Sequence, residues 1–364
     1  MNSERRKFLG DSLAVLMASQ LPGWAFASAL RSESQWLLIA RSADVLGGAS
    51  FTSGGPLEPQ PSTVRIYKNS LQAFEKIKLT FSPHSFAQNE TRPQHVYALS
   101  KWRHEACLID IKKKEVVGSL ETPKNTRFFG HGTSMPDGRM LVSRYNDKVK
   151  KGELVYYRGT NLGETIDLGD VYPHEVRLVP GRDSQVLVAV ARLGRQGGLL
   201  RIDLKSKKIV EELKSGYGIP SHFRFLDSAD RLLVVGTDTK PSAEILVNGR
   251  LHRLVLNAPF KADANQPPES LNVAMDPNDP NIAWVAVFRG DVVLKVDCSR
   301  MQIVDSIKTP GARDVFRFMN DLYIADGYGT AGGPQVKKVG KTLSLALSDK
   351  GFGNTSHACL IKSV

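Results

Sequence analysis

Five histidines, His84, His131, His174, His222 and His357, each open a short apolar run. Ser270 and Arg313 hold the same place in two further runs, and successive members of the series are 43 to 48 residues apart. Neutral imidazole is a ligand for iron, copper, zinc and nickel, so histidines brought together from separate repeats are candidate transition-metal ligands, with iron or copper as the metal. A second series, Arg41, Arg103, Arg144, Arg192 and Arg289, falls where the next run ends, and Arg313 joins it from the first series. The planar, forked guanidinium suits a carboxylate- or phosphate-rich ligand such as an iron chelate. Glu175 lies directly after His174 and is counted with the arginines as a ligand-binding candidate. The competing reading is structural. A histidine opening a strand also hydrogen-bonds neighbouring backbone, and arginines at a rim are also merely solvated. The repeat generates both patterns, so the residue types alone leave both readings open.

The elements that would position these side chains are strands. After Arg31 helical periodicity is nearly absent. Apolar runs such as Trp36–Ala40, Val96–Leu99, Val186–Ala191, Leu232–Val235 and Ala283–Phe288 alternate with turns such as Pro136-Asp137-Gly138 and Asp276-Pro277-Asn278. A repeat in the mid-forties is the length of one four-stranded propeller blade, and seven repeats predict an all-β, seven-bladed β-propeller over residues 31–364. Trp36–Ala40 lacks an inner partner and His357–Ile361 lacks the rest of its blade. Pairing the two closes the ring and leaves no open sheet edge. The start of the innermost strand and the end of the second strand share one face of such a disc, so the two series would meet at one axial mouth. The Gly-, Ser- and Pro-rich segment Ala43–Pro61 and the stretch Gly327–Pro334 would lie over that mouth.

Composition and motifs narrow the function. Hydrophobic residues make up 41% of the 364, enough for a sizeable core, and the formal charge of +12 favours anionic partners. Cys107, Cys298 and Cys359 show no C-x-x-C spacing, so a zinc ribbon, an iron–sulfur cluster or a redox dithiol is unsupported, and at most one disulfide can form. There is no G-x-S-x-G elbow or H-E-x-x-H helix, the glycines of Gly327–Pro334 are not a phosphate loop since no helix follows them, and nothing points to nucleic acid. Acidic residues at the predicted mouth are few, which disfavours calcium. The N-terminus runs Arg5-Arg6-Lys7-Phe8-Leu9, then a mildly apolar stretch, then Ala25-Phe26-Ala27. This is the pattern of a cleaved signal over residues 1–27 that resembles a twin-arginine export signal, and it implies a periplasmic mature chain. No later apolar stretch is long enough to span a bilayer as a helix.

Two further segments carry a family resemblance. Phe128-Phe129-Gly130-His131-Gly132 with Pro136-Asp137-Gly138-Arg139, and Tyr172-Pro173-His174-Glu175-Val176, followed by Asn146-Asp147 after the second strand of the first, resemble a bacterial family of propellers exported with twin-arginine signals. The similarity is clearest over residues 83–238. Genes of that family often neighbour imelysin-type, iron-regulated periplasmic proteins and di-haem peroxidase-like proteins. The resemblance therefore implies a role in iron uptake and other periplasmic iron-uptake proteins as partners. It carries over to His131, His174 and Glu175, and more weakly to His84 and His222. The function expected is ligand, metal or partner binding at the axial mouth. The alternative is a metal-dependent periplasmic oxidoreductase using the same histidines.

Overall fold

The computed structural model describes residues 36–42, 62–192, 195–216, 219–237, 241–256, 269–326, 335–340, 344–348 and 358–361. The chain is all-β, with seven blades arranged as a propeller and no helix among the described residues. The innermost strands of blades 2 to 7 are Ser85–Gln88, Thr126–Ser134, Tyr172–Val179, Ile219–Ser228, Glu269–Met275 and Ala312–Phe318. Each leads outward through antiparallel neighbours to an edge strand. In blade 4, for example, Tyr172–Val179 pairs with Arg182–Arg192, then Arg195–Asp203, then Lys208–Lys214. Blades 5 and 6 touch through one extra pair, Thr237 with Glu269. A short strand, Lys101–Arg103, leaves blade 2 to pair with the inner strand of blade 3. Blade 1 is made from both ends of the described chain: Ala358–Ile361 pairs with Trp36–Ser42, followed by Ser62–Lys68 and Phe74–Leu79.

The sequence pattern explains the ring. Middle strands are apolar on both faces, as Val186–Ala191 shows, because each blade packs against a neighbour on either side. Seven clusters of buried side chains result, one at each junction between adjacent blades. Strand Trp36–Ser42 shows the principle. With a side-chain period of two, Leu38 joins Val96 and Ile109 of blade 2, while Leu37 and Ile39 join Phe316 and Tyr323 of blade 7. Outer strands carry the polar load: most residues of Glu115–Ser119 and Lys208–Lys214 are exposed.

Cys107 and Cys298 are free and buried, and burial pushes both thiols up to about 12, so they act as small apolar core residues. The side chain of Cys359 and the segments 1–27, 43–61 and 327–334 singled out in the sequence lie outside the described residues.

The closure makes a prediction. Truncation before Ala358 removes the inner strand of blade 1 and a ladder of four residue pairs. At about 1 kcal/mol for each net hydrogen bond, the truncated protein should unfold at a clearly lower temperature by calorimetry. An unchanged midpoint would show that the ring does not depend on this pairing.

Candidate metal centre

The histidines are aimed by irregularities in the inner strands. A β-bulge adds a residue to one strand of a pair, bends it and turns its side chains. The inner ladders slip at this level in blades 3 to 7: between Phe128 and Gly132, Pro173 and Val176, Pro220 and His222, Ser270 and Asn272, and Ala312 and Asp314. In blade 3 the bulged segment contains Gly130, whose φ is +91°, a conformation glycine adopts readily. A Cβ there would stand 2.3 Å from Cδ2 of His84, so the glycine also makes room for that imidazole. The Ser85 hydroxyl donates to the Gly130 carbonyl, tying blade 2 to blade 3 beside it. The Ser143 hydroxyl donates to the His131 carbonyl at 3.1 Å, and the Ser221 hydroxyl to the Val235 carbonyl at 3.2 Å.

His84, His131, His174 and His222 converge, with their ligand atoms all within 4.8 Å of one another. His222 Nε2 lies 3.3 Å from His174 Nε2 and 3.2 Å from His131 Nε2. Two nitrogens bound at about 2.0–2.1 Å to one tetrahedral ion stand roughly 3.3–3.4 Å apart, so these spacings fit a single metal ion. They fit a proton network less well: a neutral ring nitrogen is either donor or acceptor, and His222 Nε2 faces two partners of its own kind. His84 completes the group, its ring centroid 5.1 Å from that of His131 and 5.9 Å from that of His174. His131, His174 and His222 are buried, whereas His84 is only partly so and marks the side open to solvent.

Burial lowers the His131 pKa to about 3, with Lys101, Arg177 and Arg224 acting in the same direction and Glu175 opposing them. His131 is therefore a neutral imidazole at pH 7, the form that binds metal.

The carboxylate beside it is engaged. Glu175 Oε1 accepts from Arg177 Nη2 at 2.6 Å and from Arg224 Nη1 at 2.9 Å, and Oε2 accepts from the Phe223 amide at 2.7 Å. Burial works to raise its pKa, but the two guanidiniums and that amide outweigh it and hold Glu175 ionised. Arg224 Nη2 also donates to Asn272 Oδ1 at 2.9 Å, and Asn272 Nδ2 donates to the buried Asp314 carboxylate. A polar chain thus crosses the inner strands of blades 4, 5, 6 and 7.

Several arginines singled out in the sequence have contacts of their own. Arg144 is buried and forked onto Glu153 of the adjacent strand, at 3.1 and 2.8 Å. Arg192 pairs outward with Glu212 on the edge strand of its own blade. Arg289 and Arg313 flank the Phe288 ring, their guanidinium carbons 5.1 and 5.6 Å from its centroid. Arg103 is half-buried opposite Phe128. His357 lies outside the described residues, as do the side chains of Arg41 and Ser270. The arginines beside the imidazoles are Arg177 and Arg224, which the repeat alignment passed over. By strand pairing, Asn272 and Asp314, not Ser270 and Arg313, are equivalent to His222. Trp102, Phe129, Tyr145 and Tyr172 form an aromatic group across blades 2 to 4, with Tyr145 stacked on Tyr172 at 4.6 Å.

The fold recurs widely among solved structures. The hydrazine synthase of Kuenenia stuttgartiensis aligns with a TM-score of 0.61 at 14% identity, covering 82% of this chain and all of that one. The Cps50 (Swd1) β-propeller domain of Myceliophteria thermophila aligns with a TM-score of 0.55 at 13% identity, covering 78% and 94%. At these identities the likeness shows the propeller fold alone. No protein-family model and no curated protein matches the chain.

The His131 environment sets a pH dependence. With a pKa of about 3 in the fold and 6.5 in the unfolded chain, the unfolded chain takes up the proton first as pH falls. The stability from keeping His131 neutral is complete above about pH 6.5 and declines toward pH 3, by roughly 1.4 kcal/mol per unit. Metal-free protein should therefore lose about 2 kcal/mol in urea unfolding between pH 6.5 and 5, and His131→Gln should flatten that slope. An equal slope in both proteins would contradict a buried neutral His131.

Proposed function

We propose that the chain is an exported propeller that binds a transition metal, iron or copper, at the axial histidines and serves a periplasmic iron-acquisition system. The observation that carries the metal reading is the pair of Nε2–Nε2 distances of 3.2 and 3.3 Å, which fit the edges of one coordination tetrahedron. His131, His174 and His222 would hold the ion, with His84 as the fourth ligand. Neutral nitrogen donors without a thiolate or a free carboxylate favour a late first-row metal over calcium or magnesium. The iron-acquisition context and the periplasmic location rest on the resemblance of the His131 and His174 segments and on the Arg5-Arg6 leader.

A second reading, metal-dependent oxidoreductase, is favoured by one feature. The least buried of the four clustered histidines is His84, so a buried three-histidine set faces solvent through one position, the arrangement typical of catalytic metal sites.

Metal analysis of protein recovered from the periplasm tests the proposal. One equivalent of iron or copper is expected, falling below about a tenth of an equivalent in His131→Ala and His174→Ala, since removing one of four ligands typically costs more than tenfold in affinity. A folded protein that carries no transition metal and takes none up on titration would overturn the metal reading. Retention in the cytoplasm would overturn the export reading.

A further inference from the structure

The charge around the histidines leads to an inference that rests on the metal reading. Four imidazoles bind as neutral ligands, so a divalent ion would bring two positive charges into a largely buried site with no ligand charge to offset them. The charged groups already present do not supply the difference. The carboxylates of the polar chain, Glu175 and Asp314, are matched by the guanidiniums of Arg177 and Arg224, and the Lys101 ammonium acts on His131 in the same unfavourable sense. Glu175 cannot turn to the metal without abandoning both arginines and the Phe223 amide.

Arg177 has an unused donor, whereas Arg224 donates to Glu175, to the Phe223 carbonyl and to Asn272. Both guanidiniums use the same oxygen of Glu175. The Arg177 Nε is buried and has no hydrogen-bond partner among the described residues. Arg177 and Arg224 keep 36% and 25% of their side chains accessible, although both are bonded to Glu175, which follows His174 in the chain and accepts from the amide of Phe223, the residue after His222. Guanidinium groups with part of their surface accessible, beside a cationic centre, are suited to an oxyanion.

We propose that the metal is bound together with a small oxyanion, a carbonate or carboxylate or a phosphate. Arg177 and Arg224 hold it, and its charge balances that of the ion. Metal affinity is then anion-dependent, and the arginines near the axis are a co-ligand site in addition to fixing Glu175.

The test is a Co(II) titration of the full mature protein, followed by its visible spectrum and by competition with a chelator. Perchlorate serves as the weakly coordinating reference, and bicarbonate, acetate and inorganic phosphate are added in separate arms. Co(II) should bind at least about tenfold tighter in one arm than in perchlorate, and the arm that responds identifies the anion class. In Arg177→Gln the anion effect should shrink to within about twofold, read as the ratio of that variant's affinity in each anion to its own affinity in perchlorate. Arg177→Lys, which keeps the charge but loses the fork, should retain part of the effect and guards against a folding defect. Equal affinity in all four anions, or an anion effect unchanged in Arg177→Gln, would overturn the proposal and leave the metal centre standing. Failure to bind Co(II) under any condition would remove the metal centre and the anion site together.

Discussion

Every blade of this propeller is apolar on both faces, and neither face can be left to water. Burying both requires a neighbour on each side, and seven blades satisfy that requirement only by closing on themselves through Trp36–Ser42 and Ala358–Ile361. Closure points the start of every inner strand at the axis. The convergence of side chains from residues as distant as 84 and 222 follows from that packing, since no local sequence feature joins them. The hydrophobic junctions and the polar centre are two consequences of one constraint.

What stands at the axis is costly to bury. Three imidazoles, one carboxylate and two guanidiniums meet where burial disfavours any lone charge. The structure meets that cost in two ways. His131 is held neutral, and Glu175 is paired twice and given the Phe223 amide. The chain from Arg224 through Asn272 to Asp314 extends the compensation across blades 5 to 7. The inner-strand bulges make this possible, because they turn polar side chains inward at a level where an unbroken ladder would alternate strictly.

The fold was legible because its signals are periodic. A spacing in the mid-forties, turns between apolar runs and incomplete blades at the two ends define a closed ring without reference to any one side chain. The centre was legible in part. His84, His131, His174 and His222 open strands in the same register, and the structure brings them together. The register misleads in blades 6 and 7, where the bulges place Asn272 and Asp314 level with His222. A bulge leaves little trace in composition, and a count of residues cannot detect it. The arginines were harder to read for a different reason. Arg144 finds a carboxylate on the adjacent strand, Glu153, and Arg192 one on the edge strand two positions out, Glu212, and only the sheet order reveals those partners. Arg177 and Arg224 come three and two residues after their histidines and look like ordinary strand residues. Their significance comes from Glu175, which lies between the two strands.

The central claim is that one ion is coordinated by imidazoles from separate blades, and X-ray absorption spectroscopy of the metal-loaded protein tests it most directly. A first shell of nitrogen donors at about 2.0–2.1 Å, with the outer-shell scattering of three or four imidazole rings, is the expected result. A shell of oxygen donors without imidazole scattering would contradict it.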